Sequence, residues 1–160
     1  MTSVTIETNH GNISFNLLPE LAPETVRSFV KLASDGFYDG TLFHRVIPGF
    51  MIQGGDPNTK DPNMKSQWGM GGPGFNVKAE FSSRSHLRGI VSMARATDPN
   101  SAGSQFFIMH ANNTGLDHQY SVFGEVTEGM DTVDKIAALP RDGECPSGEG
   151  AKMIKVSISE

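Results

Sequence analysis

The sequence predicts a mainly β chain of about eight short strands and two helices, closing on itself as a barrel or a sandwich. Three observations carry this. Apolar and polar residues alternate with a period of two in short runs spread from one end to the other. The 18 glycines and 9 prolines punctuate those runs, and both residues interrupt regular structure. Only two stretches show the i, i+3, i+4, i+7 spacing of a helix face.

In order along the chain, Val4-Thr5-Ile6-Glu7-Thr8 alternates, Asn9-His10-Gly11-Asn12 supplies turn residues, and Ile13-Ser14-Phe15-Asn16-Leu17 alternates again. That is the pattern of a hairpin. Pro23 suits the first turn of a helix, where its missing N–H has no partner to lose. Val26, Phe29, Val30 and Ala33 share one helical face and Gly36 is placed to end it, so a helix is expected from Pro23 to Asp35. Thr41 to Ile47 and Phe50 to Gln53 read as strands divided by the Pro48-Gly49 turn. Residues 57–73 are polar and rich in Gly, Pro, Asn and Lys, which predicts a long surface loop. Within and beside it, Met64, Trp68 and Met70 read as a satellite apolar cluster, and Asp56 and Asp61 as solvated carboxylates. Ile90 to Ala94, Gln105 to Met109 and Ser121 to Val126 are further strands. Met130, Val133, Asp134, Ile136 and Ala137 support a short second helix, and Met153 to Ile158 a closing strand. With no repeat, linker or shift of composition, residues 1–160 are expected to form one domain.

Composition narrows the function classes. An apolar fraction of 37% with 19% charged residues fits a folded chain. Thirteen basic against eighteen acidic residues leave a net charge of −5, which argues against nucleic acid as a partner. Cys145 stands alone, so no internal disulfide can form. The start, Met1-Thr2-Ser3-Val4-Thr5, lacks the basic and apolar runs of a signal peptide, and no stretch approaches the roughly 20 apolar residues of a membrane span. The expectation is a cytoplasmic monomer without membrane contact.

Several chemistries find no support. Gly69-Met70-Gly71-Gly72-Pro73-Gly74 contains GxGxxG, but a polar loop precedes it and Pro73 interrupts it, where dinucleotide binding needs a strand before and a helix after. The five histidines, at 10, 44, 86, 110 and 118, have no partners at metal-site spacing, so no metal and no cofactor are expected. No Gly-x-Ser-x-Gly elbow marks a nucleophile, and no carboxylate or histidine pair suggests a small hydrolase. The sequons Asn12-Ile13-Ser14 and Asn112-Asn113-Thr114 read as coincidence without a secretory leader. An enzyme built on this chain needs a reaction that makes and breaks no stable covalent bond.

Three segments set polar donors among apolar side chains. Phe43, Arg45 and Ile47 are expected on one strand face, as are Met51 with Gln53 and Gln105 with Phe107. Here the sequence resembles a known family. Phe43-His44-Arg45-Val46-Ile47-Pro48-Gly49-Phe50-Met51-Ile52-Gln53-Gly54-Gly55-Asp56 is similar to the signature segment of the cyclophilins. Ser92-Met93-Ala94, Gly103-Ser104-Gln105-Phe106-Phe107-Ile108 and Val122-Phe123-Gly124 follow in the family's order. The resemblance runs from about Val4 to the C-terminus.

It implies an eight-stranded antiparallel barrel capped by two α-helices, and peptidyl-prolyl cis/trans isomerase activity that assists protein folding. Carried over residue by residue, Arg45 resembles the catalytic arginine and Gln53 the residue that orients it. Phe50, Met51, Phe107 and Leu116 resemble the lining of a proline pocket. Ala94, Ala96 and Gln105 fall where the family borders its groove. Partners would be proline-containing peptides and folding polypeptides. The chain departs from the pattern at Gly115, where many members carry tryptophan, at Tyr120, where a histidine is common on the pocket rim, and at Arg95 in place of asparagine. Weak binding of cyclosporin is therefore expected. The competing reading is a non-catalytic proline-binding module or chaperone on the same fold, which would need the apolar walls but not the Arg45 donor.

Overall fold

The computed structural model describes residues 1–160. Its first hairpin forms as the alternation requires. β1 (Ser3–Thr8) pairs antiparallel with β2 (Gly11–Leu17), setting Val4 opposite Phe15 and Ile6 opposite Ile13, all buried in the interior. α1 (Pro23–Ser34) ends where Gly36, at φ 78°, donates its N–H to the carbonyl of Ala33. The residue at its N-cap, Ala22, offers no side-chain acceptor. A distant carboxylate does that work instead. Glu80 accepts from the Thr25 N–H and the Thr25 hydroxyl, each at 2.7 Å.

The chain continues through β3 (Arg45–Ile47), β4 (Met51–Gly54), β5 (Ile90–Met93), β6 (Phe106–Met109) and β7 (Val122–Glu128). After α2 (Met130–Ala137) come a small pair, β8 (Arg141–Asp142) and β9 (Cys145–Pro146), and the last strand, β10 (Met153–Ser159). Eight strands form one antiparallel sheet in the order β10-β1-β2-β7-β5-β6-β4-β3. Its two edges meet where the residues preceding β3 run alongside the start of β10. Phe43 N–H donates to Ala151 O at 2.9 Å, and Met153 N–H to Thr41 O at 2.8 Å. The sheet thus curls into the expected antiparallel barrel, and joining the edges removes the exposed ladder that an open sheet would present.

The interior holds 26 buried residues in one cluster, among them Val26, Phe29, Leu32 and Ala33 of α1 and Val133, Ile136 and Ala137 of α2. Each helix therefore closes its apolar face onto the barrel. Phe29 is the aromatic hub, with ring centroids of Tyr38, Phe123, Phe106 and Phe15 at 4.9, 5.2, 5.6 and 5.9 Å. A second cluster lies on the opposite face of the sheet, built from Leu18, Met51, Ile90, Phe107, Met109 and Val122. Period two puts neighbours on opposite sides, so Ile52 and Phe106 face the interior while Met51 and Phe107 face out.

Three local expectations are corrected. Phe43 does not share a face with Arg45; it lies in the interior with Val46, because regular pairing with β4 begins only at Arg45 and the preceding residues turn to close the barrel seam. The expected surface loop after Gly55 holds two 3₁₀ turns, Pro57–Lys60 and Pro62–Gln67, capped by the Asp56 and Asp61 side chains. Asp56 is fully buried rather than solvated. Its carboxylate accepts from the Asn58 N–H at 2.8 Å, the Gly69 N–H at 2.5 Å and the Gly71 N–H at 3.2 Å, tying both ends of the loop together. Met64 and Met70 form no apolar cluster; they are 38% and 75% exposed.

Gly55 joins β4 to this loop at φ 95°, and a Cβ there would stand 2.7 Å from the carbonyl oxygen of Ser104. Gly55→Ala is expected to cost about 2 kcal/mol or more, since a left-handed backbone alone costs an L-residue about 1–2 kcal/mol. Urea unfolding monitored by circular dichroism measures it, and an unchanged midpoint would contradict the backbone argument.

Candidate functional site

The second apolar cluster is the floor of a surface depression. A pocket of about 100 Å³ is lined by Arg45, Phe50, Met51, Gln53, Ala94, Arg95, Phe107, Leu116 and Tyr120. Beside it runs a larger groove of about 720 Å³, walled on one side by residues 69–76 and on the other by Ala94, Arg95, Ala96 and the 101–105 segment, Gln105 included. Gln53, Ala94 and Arg95 line both. All ten residues singled out in the sequence lie along this depression, although they come from segments up to 75 positions apart (Arg45 to Tyr120).

Strand register explains the meeting. Arg45 pairs with Gln53 across β3 and β4, Gln53 with Phe107 across β4 and β6, and Met51 with Met109. Side chains directly opposite on adjacent antiparallel strands project to the same face. The floor is therefore set by the alternation that also fills the core.

The polar groups form a directed chain. Arg45 Nε donates to Glu144 Oε1 at 3.1 Å and Arg45 Nη1 to Gln53 Oε1 at 3.4 Å. Gln53 Nε2 donates to Gln105 Oε1 at 3.1 Å, and Gln105 Nε2 to the carbonyls of Gly69 and Gly71 at 2.9 and 3.0 Å. The guanidinium is thereby aimed across the pocket mouth, and the loop pinned by Asp56 is tied to the same relay. Arg45 itself is half-exposed, so it keeps donors free for a ligand.

Three residues of this region carry no signal in the sequence. Glu144 reaches Arg45 from the hairpin of β8 and β9, where its backbone carbonyl also accepts from the Val46 N–H at 2.6 Å. His86 is buried beneath the pocket, its ring stacked on Phe107 at 6.0 Å and edge-on to Tyr120 at 6.2 Å. Asp117 Oδ1 accepts from the His86 N–H at 2.8 Å and faces Nδ1 at 3.1 Å, while Nε2 lies 3.1 Å from the Ser92 hydroxyl. The network assigns the ring proton to Nδ1 and leaves Nε2 to accept from Ser92. It links the pocket floor to the turn Thr114–Leu116 that carries Leu116. Gly115 lies in that turn, where a Cβ would stand 3.0 Å from the Asn113 side-chain oxygen. No local pattern could have shown a bond between positions 86 and 117.

Burial holds the His86 imidazole below its ordinary pKa, with the hydrogen bond and charge of Asp117 pulling the other way. Burial lowers His44 as well, opposed chiefly by the charge of Asp56. Asp117 is held below the usual carboxylate range, first by the His86 N–H hydrogen bond. Both histidines stay neutral from pH 6.5 upward. In the unfolded chain they take up protons near pH 6.5, before the folded protein does, so acidification favours unfolding. The melting temperature is expected to hold steady between pH 7 and 8 and to fall from pH 6.5 to 5. Scanning calorimetry in matched buffers tests this, and a melting temperature that rises on acidification would overturn it.

A family model for the cyclophilin-type peptidyl-prolyl cis-trans isomerases matches residues 3–158. The chain belongs to that family. A peptidyl-prolyl cis-trans isomerase of Synechococcus elongatus is 44% identical over 144 residues, covering 90% of this chain and 92% of its own length. One from Acinetobacter baylyi is 46% identical over 145 residues, covering 87% of this chain and 73% of its own. Among solved structures, a cyclophilin of Cryptosporidium parvum, crystallised in the presence of the dipeptide Ala-Pro, superposes with a TM-score of 0.88 at 33% identity. It covers 99% of both chains. The protein is thus a cyclophilin with peptidyl-prolyl cis-trans isomerase activity. No helix in it is long and apolar enough to cross a membrane.

Proposed function

We propose that this cyclophilin accelerates rotation about X–Pro bonds in peptides and folding chains by a hydrogen bond from Arg45 to the proline nitrogen. The observation that carries this is a guanidinium fixed by Glu144 and Gln53 at the mouth of a pocket of about 100 Å³ floored by Met51 and Phe107. Phe50, Leu116 and Tyr120 complete the walls. That volume suits one pyrrolidine ring.

The chemistry follows from the bond. Amide resonance sets a rotation barrier of about 18–20 kcal/mol. At the half-rotated transition state resonance is lost, and the nitrogen becomes pyramidal with a lone pair that can accept a hydrogen bond. The planar ground state has no such acceptor, so a donor aimed at that nitrogen binds the transition state selectively. Arginine suits the role because it stays charged and its donors are fixed in a plane. Apolar walls hold the ring while the preceding carbonyl swings. Gln53 holds the guanidinium, and Ala94, Ala96 and Gln105 border the path of the substrate backbone. No proton is transferred, so no general base is required, and the two buried histidines remain spectators to the reaction near neutral pH.

The Ala-Pro dipeptide present with the Cryptosporidium parvum relative supports proline peptides as ligands here. Glycine at position 115, where many members of the family carry tryptophan, supports weak cyclosporin binding, and the net charge of −5 supports a role apart from nucleic acid. A protease-coupled isomerisation assay on an Ala-Pro-Phe peptide tests the reading directly. Catalysed turnover is expected; a well-folded protein that binds the peptide without accelerating exchange would make it a proline-binding module.

A further inference from the structure

The depression has a charge opposite to that of the molecule around it. The chain as a whole carries −5, yet the charged residues lining the pocket and groove are Arg45 and Arg95, with no carboxylate among the lining side chains. Arg45 is balanced by Glu144 at 3.1 Å. Arg95 is not balanced. Its Nε donates to the Gln119 carbonyl at 2.9 Å, and Nη1 to the carbonyls of Ala96 and Thr97 at 3.0 and 3.1 Å. Its Cζ lies 4.9 Å from the centre of the Tyr120 ring. Neutral carbonyls and an aromatic face fix a guanidinium in place without cancelling its charge. They leave Nη2 unengaged at the boundary shared by the pocket and the groove.

The path of a substrate places this charge. With the ring seated in the small pocket, the proline nitrogen must face Arg45 and Gln53. The residue bonded to that nitrogen leaves the pocket past Gln53, Ala94 and Arg95, the three residues common to both depressions, and enters the larger groove. The two residues preceding proline therefore pass the unpaired guanidinium. We propose that Arg95 determines specificity, selecting substrates with an aspartate or glutamate in one of the two positions before the proline. This rests on the isomerase reading above. A guanidinium already held by three carbonyls loses little freedom on meeting a carboxylate, which is the condition under which an ion pair at a partly exposed site contributes most.

The test uses the full-length protein and magnetisation-exchange NMR, which needs no coupling protease. The probes are Ala-Glu-Pro-Phe and Glu-Ala-Pro-Phe, each with its Gln and Lys counterparts. At least one Glu peptide is expected to exceed its Gln counterpart in kcat/KM by about five-fold at low salt, with Lys lowest, and the spread should shrink in about 0.5 M NaCl. Every ratio is taken within one protein, so a general loss of activity or stability in a variant cancels. Arg95→Lys should keep the order, and Arg95→Glu should invert it in favour of Lys, a reversal that a purely structural role for Arg95 cannot produce. Equal rates for Glu, Gln and Lys in the wild type would sink the acidic preference while leaving the isomerase reading intact. A preference that survives Arg95→Glu would remove Arg95 as its source. Turnover of none of the peptides would overturn the isomerase reading and this inference with it.

Discussion

Replacing Arg45 by alanine is expected to lower kcat/KM about a hundredfold while the protein stays folded. The size follows from what is lost. A charge-assisted hydrogen bond made only in the transition state and partly shielded from water contributes about 3 kcal/mol, or roughly two decades in rate. Survival of the fold follows from exposure. The Arg45 side chain is 43% exposed and its ion-pair partner Glu144 is 56% exposed, so the pair contributes about 1 kcal/mol at most. The β3 backbone bonds do not involve the side chain at all. Arg45→Lys should recover only part of the loss, because one ammonium cannot meet Glu144, Gln53 and a substrate nitrogen with the planar fork that does so here. The measurement is the isomerisation assay beside a thermal melt. Wild-type turnover in a folded Arg45→Ala protein would overturn the assigned role, and a Gln53→Ala protein should lie between the two.

How much of this was legible before the structure depends on how each group is held. The strands and both helices could be read because their signal is local: alternation in Val4–Thr8 and Ile13–Leu17, helical spacing in Val26, Phe29 and Ala33. The pocket was legible for a different reason: Arg45, Met51, Gln53 and Phe107 sit in strands whose alternation fixes their side, while Phe50, Leu116 and Tyr120, which lie outside strands, are reached only through motifs that resemble a known family. The failures share one physical cause. A carboxylate among polar loop residues has the local signature of a solvated one, whereas the partners that bury Asp56 are the N–H groups of Gly69 and Gly71, more than ten positions downstream. Phe43 escapes the alternation of its neighbours because a three-residue strand, Arg45–Ile47, is too short to carry that alternation into the barrel seam. Glu144 and His86 carry no local signal because their partners, Arg45 and Asp117, are brought to them only by tertiary packing. Period and propensity report what a residue does to its neighbours in sequence, and contacts across the fold lie outside their reach.

Phe106 and Phe107 turn this geometry into a matched pair of experiments. They are adjacent in β6, chemically identical and both buried, so composition and local propensity cannot distinguish them. Period two sends Phe106 into the interior, where its ring meets those of Phe29, Tyr38, Phe43 and Phe123. It sends Phe107 to the floor of the pocket, beside His86 and Tyr120. Phe106→Ala leaves a cavity enclosed on all sides and is expected to cost about 3–5 kcal/mol, which for a chain of this size lowers the melting temperature by roughly 10 °C or more. Its kcat/KM at a temperature where it remains folded should stay within a few-fold of wild type. Phe107→Ala opens its void onto a surface pocket that water can enter, so the stability cost is smaller. Its loss falls instead on the proline ring, which gives up its largest apolar contact, and KM should rise about ten-fold, the equivalent of about 1.4 kcal/mol of burial. Calorimetry and steady-state kinetics on the two proteins decide the matter. If both variants lost stability equally and activity equally, the separation between a core that holds the barrel and an outer face that holds the substrate would fail. If the effects cross over as expected, the two functions of this sheet are divided between its faces by nothing more than the alternation of side chains along each strand.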